Sequence, residues 1–362
     1  MIPIKINFIH WVSWRILSRF SILAIIAICF LFFISMPSRS FDQKSPVLTK
    51  EEQELRVPLE QHIKMLAETI GERNLWHENS LRLSVNYIKS IFESYGYFPV
   101  EKSFTLNKES IILRLENLDA PEEFIQANMV KLPEKMVVSN IEAELPGLVK
   151  DEIVIVGAHY DSVFGSPGAN DNASGVAAIL ELARILKNNP QRRTVRFVAF
   201  VNEEPPFFDD ESMGSRVYAL EVAKKKEKIV SMYSLETIGW YSDEPKSQKY
   251  PIPLLNPFYP SKGNFLGFVG NFSSWSLLRQ SVGSFRRHTP FPSEGLAAPE
   301  WVEGINWSDH ASFWNEGIPA IMVTDTAYFR YPFYHKKEDT PDRIDFSALA
   351  RVVFGLSKVL AD

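Results

Sequence analysis

The chain has 362 residues, 45% of them hydrophobic and 23% charged, so it can bury a sizeable core and is not a bulk-disordered polypeptide. Its net charge of −5 is unevenly spread: four of the 39 bases (Lys5, Arg15, Arg19 and Arg39) and no acid fall in the first forty residues, so the remaining 322 residues set 35 bases against 44 acids, net −9. An acidic body argues against nucleic acid as a partner, and the single cysteine, Cys29, excludes a disulfide framework and thiolate metal sites in the body.

Residues 1–19 form a basic segment, and Phe20 to Met36 is an apolar run broken only by Ser21 and Ser35 and ended by Pro37. At about 1.5 Å per helical residue the run covers most of a roughly 30 Å hydrocarbon layer, more with Trp14 and Ile16 included. A buried core helix would keep a polar face, and a cleaved leader would show small residues before its cleavage point. The run has no polar face, and only Ser38-Arg39-Ser40 offers a cleavage context. The expectation is one uncleaved transmembrane helix over 20–36. Lys5, Arg15 and Arg19 precede it, which leaves the N-terminus in the cytoplasm and sends the body across the membrane.

Residues 37–48 read as a polar linker, and the body as 49–362. Thr49 and Glu52 form a capping box for a helix through Leu55, Leu59, Ile63 and Leu66, with a kink allowed at Pro58. A second amphipathic helix runs from Leu81 to Tyr95 and stops at Gly96. Alternation around Val100–Leu106 and Ile111–Leu115 predicts a hairpin, and Ser139–Leu145 a further strand. Continuous apolar runs then predict strands buried on both faces at Ile153–Gly157, Val195–Val201, Ile229–Tyr233 and Ile318–Val323. Helical patterns over 173–186, 213–225 and 346–360 alternate with them. The fold class is α/β, a mostly parallel mixed sheet sandwiched between helices. The Pro- and aromatic-rich stretch at about 242–307 is too long for a plain loop and reads as an excursion that covers something. Its Phe258, Tyr259, Phe265, Phe268, Phe272 and Trp275, with Trp240 just before it, line a pocket or pack a subdomain.

In an open α/β sheet, ligands bind at the carboxyl ends of the strands. The first core strand ends in His159-Tyr-Asp161, the second in Asn202-Glu203-Glu204 and the third at Glu236; Asp171 lies in the turn after the first and His335 beyond the fourth. Acids gathered so closely repel one another unless cations sit among them. Imidazole and carboxylate without thiolate suit zinc, and less specifically manganese or cobalt. Asp171, Glu204 and Glu236 contribute three negative charges, and with one hydroxide these balance two divalent ions, His159 and His335 completing one set at each. Asp161, two residues after His159, lies on the same side of an extended chain and can orient that imidazole. Glu203 points away from Glu204 and is free to act as a base.

Taken in order, Ile70-Gly-Glu-Arg-Asn74, Asn140–Gly147, His159-Tyr-Asp-Ser162, Gly168–Gly175, Asn202-Glu-Glu204, Met213-Gly-Ser215, Ser308-Asp-His310 and Tyr334-His335…Asp339-Thr340 resemble the co-catalytic zinc aminopeptidase superfamily. That group also holds glutamate carboxypeptidases and glutaminyl cyclases. The resemblance implies a phosphorylase/hydrolase-like fold and two zinc ions per chain. It implies His159, Asp171, Glu204, Glu236 and His335 as ligands with Asp171 bridging, Glu203 as general base and acid, and Asp161 as the orienting group. It leaves His310, which competes with His335 for the ligand role, near the substrate or just behind the ligands. Two departures stand out: Glu236 where Asp is common, and a long Pro205–Met213 segment after the Glu-Glu pair. The implied activity is that of a zinc-dependent exopeptidase, an aminopeptidase acting on a peptide or amino-acid conjugate. The alternatives are a one-zinc glutaminyl-peptide cyclotransferase and a non-catalytic ectodomain.

Overall fold

The computed structural model describes residues 32–129 and 132–362, together with 21, 22, 24 and 25. Residues 20, 23 and 26–31 of the apolar run expected to span a membrane lie outside the described residues, among which no helix is long and apolar enough to cross one.

In chain order the elements are α1 (Lys50–Lys64), α2 (Glu78–Ser94), β1 (Val100–Asn107), α3 (Lys108–Asn117), α4 (Glu122–Met129), β2 (Lys135–Leu145), β3 (Val149–His159), α5 (Gly175–Leu186), β4 (Arg193–Phe200), α6 (Gly214–Lys224), β5 (Lys228–Glu236), β6 (Leu266–Gly270), α7 (Trp275–His288), β7 (Ser293–Ala297), α8 (His310–Trp314), β8 (Ala320–Thr324) and α9 (Phe346–Ala361). The strands form one eight-stranded sheet in the order β1-β2-β4-β3-β5-β8-β6-β7. Its centre, β4-β3-β5-β8, is parallel; β1 and β2 are added antiparallel on one side, and the parallel pair β6-β7 runs opposite to β8 on the other.

Alternation along β3 shows why the centre is apolar throughout. Val154 and Val156 face a core shared with α1, α5 and α9, whereas Ile153 and Ile155 face a second core with Tyr218 and Val222 of α6 and Phe313 of α8. Each such side chain contributes about 1.5–3 kcal/mol on burial, so a strand covered on both faces carries no polar alternation.

At α1 the capping box forms as expected: Glu52 N donates to Thr49 Oγ1 at 3.2 Å, and Thr49 N donates to Glu52 Oε2 at 2.8 Å. The helix continues through Pro58. Glu52 also meets Arg351 of α9 at 3.2 Å, a buried pair that fastens the first helix to the last.

The expected hairpin at 100–115 is not formed. The strand at Val100–Asn107 pairs instead with β2, Val100 opposite Glu142, and Ile111–Leu115 lies in the helix α3. Ile111 and Leu115 are buried while Leu113 is 58% exposed, so the apolar residues satisfy a helical i, i+4 spacing as well as strand alternation. Within 242–307, β6, α7 and β7 extend the sheet beyond β8.

Candidate active site

Strand order sets the site. β3 lies between β4 and β5, so His159 at the end of β3 is flanked by Glu203 and Glu204, just past β4, and by Glu236, the last residue of β5. Asp171 comes from the turn before α5 and His335 from the loop after β8. Two of the adjoining residues, Asn202 (φ 60°) and Thr237 (φ 44°), and His335 itself (φ 57°) occupy the left-handed region. For residues other than glycine that conformation is costly and persists where surroundings hold it.

The five expected donors come together. His159 Nε2 stands 3.2 Å from Asp171 Oδ1 and 3.3 Å from Glu236 Oε2. His335 Nε2 stands 3.2 Å from Asp171 Oδ2 and 3.3 Å from Glu204 Oε2. Asp171 therefore turns one carboxylate oxygen to each imidazole. Glu203 Oε2 is farther from His159 Nε2, at 3.8 Å. Donor atoms of His159, Asp171 and Glu204, and of His159, Glu203 and Glu236, likewise gather within 4.8 Å of one another.

These groups fit divalent cations. His159 Nε2 and Asp171 Oδ2 are buried without a hydrogen-bond partner. In a tetrahedral site with bonds of about 2.0–2.1 Å, neighbouring donors are about 3.3 Å apart, close to the imidazole–carboxylate separations here. Without cations, protons must compensate. Burial disfavours charge on His159, but the Glu236 and Glu203 carboxylates outweigh it and hold its pKa well above the ordinary value. Burial pushes Glu203 well up, and burial with the charge of Asp171 pushes Glu204 up to about 7. Against the cost of burial, Glu204 and Asp171 raise His335 to about 11. Burial alone would raise Asp171, yet its two imidazole partners bring it below the usual carboxylate range.

The supports of the donors are mostly backbone contacts. Asp161 accepts from the backbone N–H groups of Glu203 and Glu204, at 3.2 and 3.1 Å. His159 Nδ1 lies nearer the Asp161 carbonyl, at 3.2 Å, than its carboxylate, at 3.6 Å. So Asp161 orients the imidazole chiefly through its main chain, while its carboxylate braces the Glu-Glu turn. Asp339 does the same for the other turn, accepting from Asn170 N at 2.8 Å and Asp171 N at 3.1 Å. Arg73, fully buried, donates to the carbonyls of Tyr160, Pro167 and Gly168 and so ties down the loop between His159 and Asp171. Ser308 Oγ donates to Glu236 Oε2 at 2.9 Å. Sequence reasoning assigned no role to Arg73, Asp339 or Ser308.

His310 lies apart from the donors. Its Nε2 faces the Ile305 carbonyl at 2.8 Å, its ring edge meets Trp314, and burial lowers its pKa to about 4. The long segment after Glu204 is clamped by α3, whose Arg114 donates to the carbonyls of Pro206 and Phe208. Beside Glu236 and Tyr334 opens a pocket with a cavity volume of about 90 Å³, walled by Tyr250, Tyr259, Phe265, Phe268, Trp307 and Tyr328. Three of the aromatic residues singled out in the 242–307 stretch thus line it, while Phe258, Phe272 and Trp275 do not. The His335 side chain is 32% exposed, so the donor cluster is open to solvent on that side.

Residues 140–360 match the model of peptidase family M28. The uncharacterized protein YfbL of Escherichia coli is 34% identical over 310 residues, 83% of this chain and 86% of that protein. Aminopeptidase YwaD of Bacillus subtilis is 32% identical over 197 residues, 53% of this chain but 37% of its own length. Among solved structures, a zinc aminopeptidase from Bacillus subtilis superposes with a TM-score of 0.62 at 19% identity, covering 88% of this chain and 95% of that one. The Fimbriiglobus ruber glutaminyl cyclase superposes with a TM-score of 0.60 at 19% identity, covering 90% and 99%. At these identities the solved structures speak for the fold, and the family match and YfbL for descent: the chain belongs to peptidase family M28.

Proposed function

We infer that this protein is a zinc metallo-exopeptidase, an aminopeptidase that removes N-terminal residues from peptides or amino-acid conjugates. The observation that carries the reading is the division of the Asp171 carboxylate between His159 and His335, each imidazole having a second carboxylate at 3.3 Å. His159, Asp171 and Glu236 would hold one ion, and Asp171, Glu204 and His335 the other. Metal bound there would supply Lewis acidity for the scissile carbonyl and the attacking water. Glu203 Oε2 takes the proton from that water and gives it to the leaving amine, so Glu203 ends the cycle as it began. Asp161 keeps Glu203 and Glu204 on their separate tasks by fixing the backbone of both. The aromatic pocket beside Glu236 receives an apolar side chain and keeps water from it.

The likeness to a glutaminyl cyclase supports a second reading, a cyclase with one zinc whose nucleophile is the substrate's own amine. Two complete donor sets favour the peptidase, and a filled set of five donors argues against a non-catalytic ectodomain. Metal analysis of the purified protein, with a panel of aminoacyl and glutaminyl chromogenic substrates, separates the readings. About two zinc per chain and release of aminoacyl groups is the expected result; one zinc with cyclisation of N-terminal glutamine sinks it.

The protein is further proposed to be anchored by a single helix at about 20–36, N-terminus in the cytoplasm and catalytic domain extracytoplasmic. The support is the apolar run and the bases that precede it. Protease added outside the anchoring membrane should digest the body. Protection until that membrane is lysed would reverse the orientation.

A further inference from the structure

The parallel strands give the sheet two unlike edges. The donors occupy the edge where β3, β4 and β5 end, and the opposite edge is where these strands begin. Nine residues of β5 separate the two, so Glu236 stands about 26 Å above Lys228 at roughly 3.3 Å per residue.

The chain enters the body at that opposite edge. β6 runs antiparallel to β8, Gly270 opposite Ile321, so α7 starts there. Phe32 stacks on Trp275 at the start of α7 and Phe33 packs on Phe272, both with ring centroids 4.5 Å apart. Arg279 then holds the Ser35 carbonyl, Arg286 the Ser38 carbonyl at 2.8 Å, and Ser40 Oγ accepts from Ser293 N at 2.9 Å. Residues 32–40 thus climb along α7 from the opposite edge toward the donor edge. Phe32 and Phe33 therefore meet the body below the sheet.

That edge has its own chemistry. Leu148 is 81% exposed in the turn before β3, and Phe272 and Phe32 are exposed beside the entering chain. Exposed Lys150 at the start of β3, Arg192 just before β4, Lys224 at the end of α6 and Lys226 just before β5 have no ion-pair partner among the described residues. Of the acids there, Glu152, Glu227 and Glu316 are each held by a base, and only Asp151 and Glu300 are not. Beside the entering chain this edge thus carries four unpaired bases against two unpaired acids, together with the exposed Leu148, Phe272 and Phe32. Aromatic and cationic residues together suit the headgroup layer of an anionic bilayer.

The geometry points to a membrane-seated enzyme: the edge bearing Phe32, Leu148, Phe272, Lys150, Arg192, Lys224 and Lys226 rests on anionic phospholipid, and the catalytic edge faces away from the bilayer. This rests on the anchoring reading above. It makes the substrate a soluble peptide that arrives from the aqueous side, and not a chain end lying in the membrane plane.

The test uses the full chain with Cys29→Ser, labelled through Leu148→Cys or Lys337→Cys and inserted in vesicles that carry a headgroup-attached quencher. Flotation of the chain with the vesicles checks the anchor itself; a chain that does not float removes the anchoring reading and this one with it. For a floating chain, the label at 148 should be quenched several-fold more than the label at 337. Reversing Lys150, Arg192, Lys224 and Lys226 to Glu should weaken quenching at 148 in phosphatidylglycerol vesicles and leave it unchanged in phosphatidylcholine vesicles. Equal quenching at the two positions, stronger quenching at 337, or indifference to charge reversal overturns the proposal while the anchor stands.

Discussion

The Asp161 carboxylate grips Glu203 by its main chain, accepting that residue's backbone N–H at 3.2 Å, and it grips the next N–H, of Glu204, at 3.1 Å. An Asn at 161 offers one acceptor oxygen and turns an NH₂ toward a second N–H donor, so one of the two contacts is lost. Asp161→Asn should weaken zinc binding or activity about 10- to 100-fold, the usual cost of losing a partner just outside the ligands. Zinc titration and steady-state kinetics on the same sample would show it; unchanged values would mean the turn holds itself.

Glu203→Gln keeps shape and removes the proton acceptor. kcat should fall by a factor of about 10² to 10⁴ with little change in KM, while bound zinc and thermal stability stay near those of the parent. A variant with near-parental kcat would remove Glu203 from the reaction.

The donor sets make separate predictions about stoichiometry. Asp171→Asn should lose both ions, because each imidazole shares that carboxylate. Glu236→Gln and Glu204→Gln should each weaken one ion first, leaving about one tightly held zinc per chain by elemental analysis. Identical stoichiometry in all three variants would contradict the division of Asp171.

The protonation of the cluster sets how stability responds to pH. The folded Glu204 is raised to about 7 from 4.5, so as pH rises between these values the unfolded chain releases the proton first and stability falls. His335, raised to about 11 from 6.5, contributes stability that is complete below 6.5 and is lost as pH climbs toward 11. Asp171, held below its ordinary 3.8, works the other way and loses its contribution only in stronger acid. The metal-free protein should therefore melt lower at about pH 8.5 than at about pH 5.5. Zinc, which takes the place of these protons, should raise Tm more at the higher pH. A gap between chelated and zinc-loaded samples that narrows as pH rises would refute this.

How much of this was legible in the sequence depended on whether a residue acts through its side-chain pattern or through the backbone. The apolar runs at 153–157 and 195–201 had no polar face, which marks strands covered on both sides, and the acids and imidazoles just past their ends then fell at the ligand edge. Arg73 and Asp339 were not legible, because they act on carbonyls and N–H groups that every residue possesses. At 111–115, Ile111, Leu113 and Leu115 fit period two while Ile111 and Leu115 fit period four as well, and the contact of α3 with the 205–213 segment, through Arg114, is not written in local spacing. β6 and β7 are five residues each and contain Gly267, Gly270 and Gly295, which dilutes the strand signal.

The stretch between β5 and β8 builds much of the pocket wall and strands β6 and β7, yet none of the five donors comes from it; it touches them through Ser308 against the Glu236 carboxylate and Thr237 against the Glu236 carbonyl. In the proposed enzyme, four of the five donors and most of the pocket wall thus come from different parts of one chain, and Glu236 serves both. Substitutions at Tyr250, Tyr259 or Phe265 can redraw the pocket while the parallel centre of the sheet continues to hold its charges in place. Descendants of such a protein can drift in diet without having to reinvent the cleavage, because inheritance handles the two as separable units.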